Sequence, residues 1–278
     1  MTHLLIIGGS DAGISAGLRA KELDSIVDVT LIVADNFPNY SICGIPFYLS
    51  GEVTDWRHLA HRTAEEITST GINLLLNHTA TMVDAINKSV KVVNQQGQEQ
   101  WLNYDKLVIG TGAVSVQPRI KGLDNKGVFL LHSMGDTFAV HEYMTTHQPK
   151  HAVIVGGGYI GLEMADALTH QNINVTLVEH SPTVMKTVDS SLGLMIAEKL
   201  QQHGIEVINS TEINTVEQQG TQLVVTGSDG FNKTTDMVLI AVGVKPLTDL
   251  AVSAGLKTGI RGAIQVNRKM ETNVPDIY

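Results

Sequence analysis

Short apolar runs and small-residue stretches alternate along this chain, and the alternation occurs twice. His3 to Ile7 is a short apolar run followed by a glycine-rich turn. The small-residue segment Ala12 to Asp24 has helical character, and Asp28 to Val33 alternates as a strand does. The same succession returns later: an apolar run at Ala152–Val155, a turn at Gly156–Gly161, a helix at Tyr159–His170 and a strand at Asn174–Val178. Each succession predicts the start of a βαβ unit, the building block of a doubly wound parallel sheet.

The regions after each unit are also alike. Thr79–Val83, Ser89–Val93 and Gln100–Tyr104 read as short strands, with polar turns at Asn87-Lys88 and Gln95–Gly97. Leu107–Ile109 reads as a buried strand ending in Gly110-Thr111-Gly112. In the second half, Thr211–Glu217 and Thr221–Thr226 form a hairpin pattern, and Met237–Val242 is a buried strand ending at Gly243. Boundaries are expected in Gly112–Gly122 and Gly243–Pro246. A domain of residues 116–243 is then inserted into one made of residues 1–115 and 244–278. No low-complexity tract or short tandem repeat interrupts the pattern.

A length of 278 residues suits two packed cores. Net charge is −9, which argues against a nucleic-acid or anionic-membrane partner, since both need a basic face. The N-terminal MTHLLIIGGS has no basic region, and its apolar run is too short for a signal peptide or a membrane span. One cysteine cannot build an intrachain disulfide framework. A cytoplasmic location is expected.

The second turn, Gly156-Gly157-Gly158-Tyr159-Ile160-Gly161, fits G-x-G-x-x-G between a strand and a helix. Gly156 permits the turn, Gly158 lets backbone approach a pyrophosphate, and Gly161 lets helix and strand pack closely. The helix N-terminus adds amide donors and partial positive charge. Glu179 ends the next strand, where a carboxylate accepts bonds from ribose hydroxyls and repels a 2′-phosphate. This pairing points to a dinucleotide, NADH rather than NADPH, with a plain tight βα turn and a surface glutamate as the alternative. The first turn is Gly8-Gly9-Ser10-Asp11-Ala12-Gly13, with Ser10 in the middle glycine's place. Val33 stands where the strand-end carboxylate is expected. Asp35, two residues on, is the ribose candidate, with a plain loop aspartate as the alternative.

Cys43 lies in Asn39-Tyr40-Ser41-Ile42-Cys43-Gly44-Ile45-Pro46-Phe47-Tyr48. Pro46 suits a first helical turn. A thiolate just before such a helix would be stabilised by its dipole and free amides, and Gly44 leaves room for a flat ring. The alternative is a buried cysteine acting as a small hydrophobe.

These segments, with Tyr104–Ala113 (YDKLVIGTGA), Val155–Glu163 (VGGGYIGLE), Asp236–Pro246 (DMVLIAVGVKP) and Thr272–Tyr278 (TNVPDIY), make the chain resemble the pyridine nucleotide-disulfide oxidoreductases. The likeness is to the single-cysteine branch, which includes coenzyme A-disulfide reductase, NADH oxidase and NADH peroxidase. The resemblance implies an α/β fold of two Rossmann-like domains with parallel sheets, the NAD-binding domain inserted into the FAD-binding one. It implies FAD on the first unit, with Thr111 and Gly112 beside it, and NADH on the second, with Gly243 beside it. Reducing equivalents would pass from NADH through the flavin to Cys43 and on to a small disulfide or persulfide. Tyr159 matches a residue that covers the flavin until nicotinamide arrives, and Glu163 one near the same place. Their alternatives are a helix-start aromatic and an exposed helix carboxylate.

The chain departs from the family's pattern at several positions. Oxidase and peroxidase members usually carry histidine where Asp11 stands, and Asp11 can also serve simply as a helix N-terminal carboxylate. Coenzyme A-disulfide reductases commonly have Ser and Asn where Asn39 and Ile42 stand. Ser15 and Arg19 match positions that touch coenzyme A in that group, with a solvated helix residue as the alternative for Arg19. The family continues past Tyr278 with a Gly-Asp element that binds the flavin and a dimerisation domain, so the resemblance implies a truncated chain whose full-length form is a homodimer. Three functions follow as expectations. They are a disulfide or persulfide reductase, an NADH oxidase working through a Cys43 sulfenic acid, and a nucleotide-binding fragment without catalysis of its own. His58 and His61 lie one helical turn apart without further ligands, so no metal is expected.

Overall fold

The computed structural model describes residues 1–278. They divide into two compact units, one of residues 1–41, 57–114 and 245–278, the other of residues 42–56 and 115–244.

In the first unit, the apolar runs build a four-stranded parallel sheet in the order Ile72–Leu75, Asp28–Ile32, His3–Ile7, Lys106–Ile109. Successive strand residues point to opposite faces. Ile6, Val29 and Leu31 therefore pack with Ile14, Ile67 and Ile72 on the helix side. Leu5, Ile7, Ile32 and Leu107 pack with Val83, Val90 and Val92 of an antiparallel meander on the other. That meander is His78–Asp84, Ser89–Asn94 and Glu99–Asn103. The C-terminal residues lie along the last strand: Leu107 N–H donates to Asp276 O and Tyr278 N–H to Leu107 O, each at 2.9 Å.

The second unit repeats the plan. Its parallel sheet runs Glu206–Ile208, Asn174–Val178, His151–Val155, Met237–Ile240, Val128–Leu130. Its meander is Ile213–Gln219, Gln222–Gly227 and Asn232–Thr235, one strand more than the hairpin read from the sequence. Helix Met134–His147 opens with a capping box in which Ser133 and Asp136 satisfy each other's backbone N–H.

Segment 42–56, which contains Cys43, packs with the second unit. Tyr48 stacks on His141 with ring centroids 4.9 Å apart, and Trp56 meets Phe138 edge-on at 5.2 Å. Gln171 Nε2 donates to Ser50 O at 2.6 Å. The boundaries expected from the sequence place this segment with residues 1–115. No helix is long and apolar enough to cross a membrane.

Candidate functional site: two glycine turns and an exposed cysteine

Each parallel sheet carries a glycine turn at the carboxyl end of one inner strand, His3–Ile7 in the first unit and His151–Val155 in the second. Gly8 and Gly156 have φ values of 116° and 111°, a region open to glycine and strained for other residues. A Cβ on Gly13 would lie 2.0 Å from Gly8 O, and one on Gly161 1.9 Å from Gly156 O. The last glycine of each turn is thus needed for helix and turn to touch. The middle position differs in kind. Gly158 has φ −83°, and a Cβ there would meet nothing within 4 Å. Ser10 occupies the matching place with φ −93° as the N-cap of helix Asp11–Leu23. A small side chain is tolerated there because it points into open space.

In the second unit the turn borders a cavity of about 300 Å³. Its wall includes Gly156, Gly158, Tyr159, Ile160, Glu179 and Gly243. Glu179 is 6% exposed and clamps the turn. Its Oε2 accepts the Gly157 N–H at 2.6 Å, and its Oε1 accepts the Ser181 N–H at 2.8 Å. His180 Nδ1 is 3.0 Å from Oε1. Burial pushes the carboxyl's pKa up, but the bonds from Ser181 and Gly157 and the neighbouring His180 outweigh it. The pKa lies below the usual value, so Glu179 is ionised at neutral pH. The same wall contains His180 and Lys186, and an adjoining cavity of about 260 Å³ adds Arg119 and Thr211. None of these four belongs to a motif visible in the sequence. His180 directly follows the strand-end acid, and that adjacency was the available signal. Tyr159 is 69% exposed at the helix start. Glu163 is exposed on the same helix and is not on the cavity wall.

In the first unit a cavity of about 550 Å³ is lined by Gly8, Ile32, Ala34 and Thr111, among others. Thr111 Oγ1 donates to Leu247 O at 2.5 Å, and Leu247 N–H donates to Gly112 O at 3.0 Å, which ties residue 247 to the strand end. Gly9 accepts the Asn39 N–H at 2.7 Å, as Gly157 accepts that of Met185 at 2.8 Å. Asp11 and Ala12 form the first helical turn, and Asp11 Oδ1 accepts from Asn39 Nδ2 at 3.0 Å. Asp35 is held in a local turn, its Oδ1 accepting the Phe37 N–H at 2.8 Å, and it is not on the cavity wall. The residues fit a dinucleotide phosphate at both turns. Only the second unit adds a strand-end carboxylate.

Cys43 is exposed, not packed among aliphatic side chains. It sits in the 3₁₀ turn Ile42–Gly44 ahead of helix Ile45–Leu49, which has Pro46 in its first turn. That helix has five residues, so the macrodipole expected to support a thiolate is small.

Two parallel sheets, each with a glycine turn opening a helix, define an α/β protein of two Rossmann-like units, the class of fold that cradles dinucleotides. The family model for "Pyridine nucleotide-disulphide oxidoreductase" matches residues 2–278, and the chain belongs to that family, whose members use FAD and NAD(P)H. It is 35% identical, over 99% of its length, to a protein of Pyrococcus abyssi named NAD(P)H sulfur oxidoreductase (CoA-dependent). It is 33% identical, over the same share, to a Methanocaldococcus jannaschii protein named NADH oxidase. The chain spans 61% of the length of each of these relatives. A solved NAD-dependent persulfide reductase from A. fulgidus matches the whole chain with a TM-score of 0.95 and 33% identity, over 52% of its own length.

Proposed function

We propose that this chain is the dinucleotide-binding part of an FAD- and NADH-dependent oxidoreductase that reduces a small disulfide, persulfide or polysulfide through Cys43, and that the whole protein works as a homodimer. The observation that carries the reading is the exposure of the lone cysteine in a chain with two dinucleotide turns. Residues 8–13, with Thr111 and Gly112, would hold the flavin. Residues 156–161, with Glu179 and Gly243, would hold NADH. When bound, the flavin supplies a relay for the two electrons that leave nicotinamide.

The residues of the chain do the rest. Glu179 would orient the nucleotide by its ribose, and Tyr159, exposed at the helix start, would cover the flavin until nicotinamide arrives. Cys43, as thiolate, attacks the acceptor's S–S bond; one sulfur leaves as a thiol and the other stays in a mixed disulfide. Two electrons and one proton complete the balance, so NADH, a proton and RSSR give NAD⁺ and two RSH. The names of the Pyrococcus abyssi and A. fulgidus proteins support a sulfur acceptor.

Cys43→Ser tests the reading. Disulfide turnover should vanish while NADH still bleaches the flavin absorbance. Undiminished disulfide turnover in the variant would refute the role of Cys43. The likeness to a protein named NADH oxidase favours a second reading, in which oxygen is the acceptor and Cys43 cycles through a sulfenic acid. Oxygen uptake measured beside disulfide reduction separates the two. A preparation that is colourless and takes up no added FAD would instead mark a nucleotide-binding fragment without flavin chemistry.

A further inference from the structure

We propose that the first unit takes its dinucleotide without reading the adenosine ribose, and that Val33 sets this tolerance. The proposal rests on the reading of the first unit as the flavin site. The two units provide a comparison within one molecule. Gly8 N–H donates to Ile32 O at 2.9 Å, and Gly156 N–H donates to Val178 O at 2.7 Å. The next strand-end residues are also matched: Val33 N–H donates to Leu75 O at 2.9 Å and Glu179 N–H to Ile208 O at 2.8 Å. Val33 and Glu179 therefore hold the same place in the register.

What they present there is opposite. Glu179 offers a buried carboxylate that touches the turn through the Gly157 N–H. Val33, 4% exposed, fills the space with methyl groups: a Cβ on Gly9 would lie 2.6 and 2.8 Å from its two γ-carbons. Asp35 does not replace the missing acid, because its carboxylate accepts the Phe37 N–H and it stands off the cavity wall. The wall near the strand end is mainly apolar, with Ile7, Ile32, Ala34 and Ala80, and its polar side chains there, His78, Thr79 and Thr81, are not carboxylates. Its one carboxylate is Asp249, on helix Asp249–Ser253.

A ribose hydroxyl at the end of the second strand gains a charged acceptor in the second unit and none in the first. Removing that hydroxyl forfeits a charge-assisted bond in one and at most a neutral bond in the other. The second unit selects an intact ribose. The first holds its ligand by phosphate and by apolar contact, and it accepts dinucleotides altered at the 2′-hydroxyl.

Quenching of flavin fluorescence gives the test, with the chain titrated by FAD and by FAD carrying 2′-deoxyadenosine. The two ligands should bind within about threefold of each other. Val33→Glu should create a preference for FAD of about tenfold, as a charged acceptor for a hydroxyl does. A wild-type preference of that size would overturn the proposal and leave the flavin reading standing; its disappearance in Asp249→Asn would assign the ribose to Asp249. Failure of both ligands to bind would overturn the flavin reading and the proposal with it. Should Val33→Glu not fold, the wild-type comparison decides alone.

Discussion

Glu179→Gln separates the structural and the ligand-reading roles of the second unit's carboxylate. In the wild type two backbone donors converge on it, Gly157 N–H at 2.6 Å and Ser181 N–H at 2.8 Å. Glutamine has the same shape but only one acceptor oxygen, so its NH₂ must face one of these donors. A buried donor left without an acceptor costs about 1–3 kcal/mol, and the surviving bond loses its charge assistance. The variant should therefore unfold at lower urea concentration in the absence of nucleotide. NADH binding loses a charged acceptor worth about 1.5–3 kcal/mol, which is about 10- to 150-fold in Kd. NADPH binding changes less, because the variant also loses the negative charge that repels a 2′-phosphate. The ratio of NADPH to NADH affinity should rise about tenfold. Nicotinamide fluorescence titration gives both constants, and urea unfolding gives stability. Unchanged NADH affinity in a folded variant would refute the ribose assignment, and an unchanged urea midpoint would refute the clamp.

Gly161→Ala drives a methyl to 1.9 Å from Gly156 O, a backbone atom that cannot swing away. Forced overpacking of this kind costs about 1–3 kcal/mol, and a wild-type melting temperature would show that the close approach is not essential. At the C-terminus, Lys106 and Lys88 each place Nζ 2.5 Å from the Asp276 carboxylate and hold its pKa down to about 2. A carboxyl depressed on folding stabilises above its unfolded pKa of about 4, and the contribution disappears as pH falls through the folded value. The stability gap between wild type and Asp276→Asn, followed by urea unfolding, should thus be present at pH 5 and close toward pH 2; a gap independent of pH would refute the ion pairs as its source.

The inner strands of the parallel sheets and their glycine turns are legible in the sequence because each depends on local signals: an apolar run, a positive-φ glycine and a small residue where helix meets strand. Elements without those signals are not. The outer strands Ile72–Leu75, Val128–Leu130 and Glu206–Ile208 are too short to stand out. Helix Met134–His147 buries only Met134, Thr137 and Val140, so its apolar stripe is too sparse to stand out. In helix Ser190–Gln202 the exposed Leu192, Leu194 and Met195 blur the amphipathic pattern. Strand Asn232–Thr235 is polar because it lies at the edge of its meander. The packing of residues 42–56 was hidden for a different reason. Its partners Phe138, His141 and Gln171 lie far along the chain, and nothing local marks them.

Asn39 shows how one residue can look like a substrate contact in sequence and act as architecture in structure. It stands where coenzyme A-disulfide reductases commonly have serine, and it invites a reading in terms of the acceptor. Its environment leaves little for a substrate. It is 2% exposed and left-handed, with φ 58°. Its N–H is given to Gly9 O, its carbonyl accepts the His61 N–H at 2.9 Å, and its amide nitrogen donates to Asp11 Oδ1 at 3.0 Å. Such a residue joins the phosphate turn, the first helical turn and the segment around His61 into one piece, and each bond removed would leave a buried polar group unpaired. Asp11 is constrained in turn, since one of its oxygens is already engaged by Asn39. The basin beside Asp11 and Asn39 is also lined by Ser15, His61, Arg62, Glu66 and Thr70, of which Thr70 already donates to Ile67 O and Glu66 accepts the Thr63 N–H. Arg62 keeps most of its guanidinium donors free, its Nη1 lying 3.5 Å from Asn39 Oδ1. Substitution of Asn39 would therefore act by loosening this hub, which ties the glycine turn, the helix start and the segment around His61 together, rather than by removing a surface contact.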